Sequence, residues 1–269
     1  MSAFASHFSF EFRTGLRDRP LLLMNYLFPL SFYVVVSLLM TQLNPTFGPD
    51  IIPTMVIFVT LTSLILGLPN PLVSAREAGI FRSYRVNGVP ALSVILVPAL
   101  TTAMHTLIAS LLVAFTAPLL FDAPLPVNRG GFALFLVLTI FAMAGLGVLI
   151  GVISTSTRIT ILWSQLIFLP SIIIGGLMVP RSALTGVLAK IGSLMPSTYS
   201  VQIYDTLARG IGVDAKTILS VVVLLAGGIL AFALASYLFS WDSHNTARRA
   251  SAWLALTVAI PFIIGMMLL

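Results

Sequence analysis

The sequence contains no cysteine and very few charged residues. Without cysteine the chain forms neither a disulfide nor a thiolate metal site. Lysine, arginine, aspartate and glutamate make up only 8% of the 269 residues, whereas 58% are hydrophobic and the mean hydropathy is +1.08. Because so few charges cannot coat the surface of a soluble protein of this length, we expect an integral membrane protein.

Seven hydrophobic runs are candidates for membrane-spanning helices, because a helix needs roughly 20 residues to cross a hydrocarbon core about 30 Å thick. The runs are Leu21–Thr41, Ile51–Leu72, Leu92–Leu120, Phe132–Thr155, Ile159–Met178, Thr217–Ser240 and Ser251–Leu269. The last run is the shortest and is barely long enough to cross. We expect it to do so and to place Leu269 outside.

The net charge of +6 does not indicate nucleic-acid binding, because the basic residues lie mostly at the ends of hydrophobic runs. Nine arginines fall on one side if the runs alternate across the membrane: Arg13, Arg17, Arg19, Arg76, Arg82, Arg85, Arg158, Arg248 and Arg249. The short loops on the opposite side, 43–50 and 121–131, carry only Arg129. The distribution predicts a cytoplasmic N-terminus. The first run is too long for a cleaved signal peptide, and no A-x-A site follows it.

The stretch SAREAGIFRSYRVNGVP, Ser74 to Pro90, places charged residues between the second and third runs. Ser74 and Glu77 have the spacing of a capping box, and Gly88 with Pro90 supplies stop signals. This pattern predicts one cytoplasmic helix of about 12 residues. Four residues would share a face of that helix: Glu77, Ile80, Phe81 and Tyr84. An interfacial helix held to lipid phosphates by arginine and a helix that docks into a cytoplasmic partner both explain the pattern.

The N-terminal residues predict an amphipathic helix at the membrane interface. Phe4, Phe8, Phe12 and Leu16 recur every four residues, with Arg13 and Arg17 beside them. The alternation of Phe8, Phe10 and Phe12 is also typical of a strand. We expect the helix, over residues 1–20, because a strand here would have no obvious partner.

The connection between the fifth and sixth runs contains two amphipathic pieces, Arg181–Ser193 and Ser197–Arg209, separated by Met195 and Pro196. Neither piece is long enough to span. Non-helical backbone at membrane depth requires cover from protein or a cavity, which favours a re-entrant pair of half-helices on the outer side. A plain extracellular loop is the alternative.

Nucleotide-binding and catalytic motifs are weak. Residues 210–217 nearly match a phosphate-binding loop, but Ala215 replaces its second glycine and no strand precedes it, so we interpret the match as chance. If ATP powers this protein, another chain binds it. His7, His105 and His244 are too dispersed for a metal site.

Isolated polar residues lie inside the hydrophobic runs, among them Asn25, Asn70, His105 and Gln165. Such residues line a pathway or hydrogen-bond a neighbouring helix, and we expect the second role for His105. Stripes of small residues at 147–151 and 227–235 predict close contacts between helices.

Three stretches of the sequence resemble the permease subunits of type 2 ATP-binding cassette (ABC) exporters. Arg76-Glu77-Ala78-Gly79, followed by Val89-Pro90, looks like the E-x-G coupling helix of that family. The stretch LMPSTYSVQIYDTLARG is similar to its P-x-x-Y segment, with Pro196 and Tyr199 at the matching positions. The basic, Phe-rich N-terminus resembles the family's interfacial connecting helix, which implies that it braces the cytoplasmic partner.

The resemblance covers residues 1 to about 241 and implies an all-α membrane protein with a six-helix exporter permease bundle in a bacterial cytoplasmic (inner) membrane. An interfacial helix (1–20) would precede a permease domain (21–241) that contains the coupling helix (74–89) and the re-entrant segment (180–215). The seventh run departs from the family, which commonly ends inside after six spans, and would form an extra helix at 250–269.

The resemblance also implies the partners. Two cytoplasmic ATPase subunits would carry ATP and Mg, so this chain would need no cofactor and would not itself be an enzyme. A second permease subunit, identical or similar, would complete the translocation path within the lipid membrane. The residues expected to couple to the ATPase are Arg76, Glu77, Gly79, Ile80, Phe81, Tyr84 and Arg85. A drug, a lipid, a peptide and a glycan precursor all remain candidate substrates, and an ATP-independent intramembrane enzyme or small channel is the alternative function.

Overall fold

The chain folds almost entirely into helices. The computed structural model describes residues 3–15, 17–180, 183–242 and 250–268, and no strand occurs among them. This confirms the expected all-α integral membrane protein and, for the N-terminal residues, the helix over the strand. Six residues used in the predictions lie outside the described residues: Leu16, Arg181, His244, Arg248, Arg249 and Leu269.

The first helices are α1 (Ala3–Gly15), α2 (Arg19–Leu43), α3 (Phe47–Glu77), α4 (Ile80–Val86), α5 (Ala91–Phe121) and α6 (Arg129–Ile153). They are followed by α7 (Thr157–Ile173), α8 (Gly186–Gly192), α9 (Pro196–Ile203), α10 (Ala215–Leu238) and α11 (Ile260–Leu268). Among the described residues, three π-helical turns occur, at Leu23–Leu27 in α2, at Thr62–Gly67 in α3 and at Tyr204–Ala208 after α9. A 3₁₀ segment, Ala250–Ala259, precedes α11.

Five helices in the described part of the chain are long and apolar enough to cross a membrane: α2, α3, α5, α6 and α10. The fifth and seventh runs form shorter apolar helices. The prediction that the fifth run is helical to Met178 is wrong, because α7 ends at Ile173. Gly175 and Gly176 follow, and Gly176 has a φ of 95° that ordinary helical backbone does not adopt. With 17 residues, α7 is about 26 Å long at 1.5 Å per residue.

Helix α3 forms the centre of the bundle. Every residue from Ile51 to Ile65 is buried, as expected for a helix that is hydrophobic on all sides. Helices α5, α6 and α7 pack around it.

The predicted stripes of small residues are contact sites between helices. A Cβ added at Gly147 of α6 would overlap the carbonyl oxygen of Leu64 in α3. A Cβ at Gly227 of α10 would lie 2.7 Å from Cζ of Phe262 in α11. Both helices therefore approach their neighbours closely because glycine occupies these positions.

Candidate functional site

The segment from Ser74 to Pro90 forms two helical pieces instead of the single predicted helix. Ser74 lies inside α3, which continues to Glu77, and Gly79 then adopts a left-handed conformation with φ 74° before α4 begins. The predicted capping box is therefore wrong, because a serine in a helix interior faces no unsatisfied first-turn amides. The chain remains helical past Leu72 because Val73 and Arg76 are still buried against the bundle.

The predicted shared face is also wrong. Glu77 belongs to α3, whereas Ile80, Phe81 and Tyr84 belong to α4. Phe81 is only 4% exposed and its ring packs 5.7 Å from that of Phe239, while Ile80 is 43% exposed. Glu77 is therefore on a different helix from the other three residues, and within α4 the adjacent Ile80 and Phe81 differ strongly in exposure.

The predicted stop signals of this segment are confirmed. Helix α4 ends at Val86, and Gly88 has a φ of 75°. The Gly88 N–H donates to the Arg85 carbonyl at 3.1 Å, and the Val89 N–H donates to the Tyr84 carbonyl at 2.9 Å. These two bonds form a Schellman motif, and Pro90 then occupies the N-cap of α5.

Arg76 joins α3 to α6. Its guanidinium is buried and donates to the carbonyl of Val152 at 2.8 Å and to the carbonyl of Ser154. These carbonyls lie at the C-terminal end of α6, where a positive charge is favourable because of the helix dipole. The structure therefore places Arg76 between two helices and not on the surface.

Helix α4 is fixed to the end of α10. Phe81 packs against Phe239, and Arg82 forms an ion pair of 2.5 Å with Asp242, which follows α10. No local sequence pattern indicated this pairing, because the two residues lie 160 positions apart. The remaining surface of the segment is exposed at Glu77, Arg85 and Val86, and the Val86 side chain is 87% exposed.

Glu77 occupies an unusual position for an acidic residue. It is the last residue of α3 and is exposed, although a carboxylate at a helix C-terminus is disfavoured by the helix dipole. Local helix stability therefore does not explain why glutamate is found here.

The N-terminal helix packs against α5 and reaches α4. The ring of Phe12 is parallel to the imidazole of His105, with 4.5 Å between their centroids. Burial raises the pKa of Tyr84 in α4, and the charge of Glu11 in α1 raises it further. Helix α1 is therefore a packed part of the bundle beside segment 74–90.

The predicted intramembrane polar residues do not form one cluster. His105 forms the expected hydrogen bond to a neighbouring helix, because its Nδ1 lies 2.8 Å from the Tyr26 hydroxyl in α2. Asn25 lies close by in the same cavity, whereas Gln165 belongs to α7. In the part of the chain that the structure describes, four polar atoms of these residues are buried without a partner: Asn25 Oδ1, Asn70 Oδ1, His105 Nε2 and Gln165 Oε1.

The segment around α9 belongs to the protein core. Pro196 begins α9, and the fully buried Tyr199 donates its hydroxyl to the Ser193 carbonyl at 2.6 Å and contacts the Phe262 carbonyl at 3.2 Å. This degree of burial favours half-helices over a plain extracellular loop.

An ion-pair cluster holds the end of this segment against the start of α3. Arg209 lies 2.5 Å from Asp50 and 3.0 Å from Asp205. Burial raises the pKa of Asp205, although the positive charge of Arg209 opposes that rise. The cluster fixes the position of α9 relative to the start of α3.

Groups of His, Asp or Glu that could hold a metal ion are absent from the described residues.

The structure defines a multi-pass helical membrane protein with a short, firmly anchored helix, α4, outside its longest hydrophobic segments.

A family model described as ABC-2 type transporter matches residues 3–206, which include segment 74–90 and α9. The chain therefore belongs to the ABC-2 type transporter family, of which it is a transmembrane component. In this family the ATPase lies on a separate chain. No curated protein and no solved structure matches the sequence.

Proposed function

We propose that the chain is an exporter permease whose segment Glu77–Gly88 docks on cytoplasmic ATPase subunits. The observation that carries this proposal is the exposed acidic residue Glu77 next to an exposed helix that is held firmly by the bundle. Two copies of this chain, or one copy and a similar permease subunit, would enclose the translocation path. Two ATPase subunits would bind ATP and Mg and drive the cycle.

Movement of the docking segment would pass to three long helices. Arg76 connects the end of α3 to the end of α6, while Phe81 and Arg82 connect α4 to the end of α10. Closure of the ATPase subunits against α4 would therefore shift the cytoplasmic ends of these helices together. This mechanical connection supports a coupling role better than a lipid-anchoring role, which requires no such contacts.

The translocation path would run along α3 and α7, which pack against each other. Six buried side-chain atoms on these helices have no hydrogen-bond partner among the described residues: Ser63 Oγ, Asn70 Oδ1, Arg76 Nε, Ser164 Oγ, Gln165 Oε1 and Ser171 Oγ. Such atoms cost roughly 1–3 kcal/mol each unless water or a substrate satisfies them. The π-helical turn Thr62–Gly67 in α3 also fits a functional segment.

The last run would cross the membrane beside α10. Its first part, with Trp253 and Ala255, lines an apolar groove with Ile150 and Ile153 at the C-terminal end of α6. Its second part reaches the buried Tyr199 through Phe262. These contacts support a path from the cytoplasmic to the outer side.

An ATP-independent enzyme or channel is less well supported. The isolated polar residues form no catalytic arrangement, and the family match assigns the chain to a transporter component. A drug, a lipid, a peptide or a glycan precursor remains a candidate substrate.

The proposal is tested with Glu77→Gln in the tagged full-length chain. Loss of one member of an interfacial charge pair costs about 2–5 kcal/mol, so we expect normal membrane insertion but much less co-purified ATPase and loss of transport. The ATPase is identified by a phosphate-binding loop in its peptides.

Two control variants accompany this experiment. Asp122→Asn changes another exposed carboxylate at the opposite end of α5, and Ser74→Ala removes the serine of the excluded capping box. Both should retain the ATPase. Equal co-purification with all three variants would contradict a docking role for Glu77.

A further inference from the structure

An apolar groove of about 320 Å³ lies between α6, α7 and the 3₁₀ segment that precedes α11. Its buried floor is formed mainly by α6, through Leu146, Leu149 and Ile150. At its rim, Leu166 of α7 and Leu256 of the 3₁₀ segment are exposed. The groove is therefore open on one side, where either lipid or another protein chain can enter it.

The lining and the direction of the groove suit a hydrocarbon chain. The described lining residues carry no charge, and all of them are aliphatic except two tryptophans. On α6 the lining runs from Leu146 to Ile153, so the groove follows the helix axis for about 10 Å at 1.5 Å per residue. Acyl chains in a bilayer extend in the same direction as the helices that cross it. A chain that lies along the groove therefore gains packing contacts on several sides.

Two indole N–H groups interrupt this apolar lining. Trp163 and Trp253 both line the groove, and neither indole donates a hydrogen bond to another of the described residues. The N–H group of a tryptophan in apolar surroundings usually has an acceptor, and tryptophan is enriched at the level of the lipid headgroups. The occupant should therefore carry a hydrogen-bond acceptor next to its hydrocarbon chain.

The two indoles lie toward one end of the groove. Helix α7 begins at Thr157, shortly after α6 ends at Ile153, so Trp163 is the α7 lining residue nearest to that end. Trp253 is the first lining residue of the 3₁₀ segment, which on the proposed path of the last run begins on the same side. The acceptor of the occupant therefore belongs near Ile153, and its hydrocarbon chain extends from there toward Leu146.

A second copy of this chain would not satisfy the indoles. The carbonyl groups of a membrane-spanning helix are already bonded within that helix, so such a helix offers no free acceptor. A phospholipid with ester-linked chains has a carbonyl group at the head of each chain. It therefore supplies the acceptor and the hydrocarbon chain together.

We infer that this groove binds an acyl chain of a membrane phospholipid, with the ester carbonyl accepting a hydrogen bond from an indole N–H. The bound lipid joins the last run to α6 and α7. The last run lies beyond the residues 3–206 that the family model matches, so the site is not a feature of the matched region alone. The inference does not depend on docking of the ATPase.

The first test compares ester-linked with ether-linked phosphatidylcholine of equal chain length, because the ether lipid lacks the carbonyl. The full-length chain, with any co-purified ATPase, is purified in mild detergent and given an equimolar mixture of the two lipids, and bound lipid is counted by native mass spectrometry. One hydrogen bond changes an affinity by about two- to tenfold, so we expect the ester lipid to be bound in about that excess.

Tryptophan variants show whether the indoles cause this preference. The double variant Trp163→Phe/Trp253→Phe keeps the aromatic surface but removes both donors, and it should bind the two lipids equally. Trp241→Phe is the matched control, because Trp241 lines a different pocket, at the end of α10, and its loss should leave the preference unchanged.

A phosphatidylcholine with a photoreactive diazirine in its acyl chain locates the bound lipid in nanodiscs. Ala259→Phe fills the groove, whereas Ala233→Phe adds the same ring to an exposed position of α10 outside it. We expect labelling of residues 146–153 to fall severalfold in Ala259→Phe only, with labelling of residues 112–119 in α5 unchanged in both variants. Equal labelling in the two variants, equal binding of the two lipids by the unmodified chain, or an ester preference that survives in the double tryptophan variant would overturn the inference.

Discussion

Arg76 shows how a single charged residue is accommodated inside an apolar bundle. The sequence identified it as part of a charged cytoplasmic segment, but its partners are backbone carbonyls 76 and 78 residues away. Every residue carries a carbonyl, so no sequence pattern reveals such a partner. By contrast, the hydrogen bond of His105 was predictable, because an ionisable group inside a membrane run requires a partner.

Arg76, which is buried, should contribute much more to the free energy of unfolding than Arg82, which is exposed. Arg76→Met removes two hydrogen bonds from a charged donor and should lower the free energy of unfolding by about 3 kcal/mol or more. Arg82→Met removes an ion pair whose side chains are 60% and 37% exposed, which is worth about 0.2–1 kcal/mol. Thermal unfolding of the two purified variants measures the difference. Equal shifts in Tm would show that the Arg76 contacts are unimportant.

At the level of helices, the sequence predicted where α4 ends but not where it begins. Gly88 and Pro90 act locally, so their stop signal was readable. The start was misread because Ser74 and Glu77 match a local capping pattern, whereas burial of Arg76 against α6 keeps α3 helical through them. The end of α7 has a similar cause, since a Cβ at Gly175 would overlap the Ser197 hydroxyl of α9, a contact with no local signal.

The left-handed residue between α3 and α4 gives a prediction about this break. Alanine at Gly79 would meet no atom within 4 Å, so its effect is conformational and should cost about 1–2 kcal/mol. We expect Gly79→Ala to lower Tm and reduce ATPase co-purification, and Gly79→Asn to have a smaller effect because asparagine tolerates this conformation.

Gly48→Ala is the control for Gly79→Ala, because Gly48 also has no neighbour within 4 Å and lacks a positive φ. A Gly79→Ala variant that matched Gly48→Ala in both measurements would show that the left-handed break is not required.

For the whole molecule, the distribution of arginine predicts that Ser83 faces the cytoplasm and Val127 the outside. Both positions are exposed, and the native chain has no cysteine to interfere with labelling. An impermeant maleimide should therefore label Val127→Cys in intact cells and Ser83→Cys only after permeabilisation. Labelling of Ser83→Cys in intact cells would mean that the orientation is reversed.

The central claim is that the exposed end of α4 contacts an ATPase. Val86 and Val127 provide a matched pair, because their side chains are 87% and 80% exposed and lie at opposite ends of α5. A photoreactive amino acid at Val86 in native membranes should crosslink to a chain whose peptides contain a phosphate-binding loop, while the same residue at Val127 should not. Absence of that product from Val86, or its equal formation from both positions, would contradict the account.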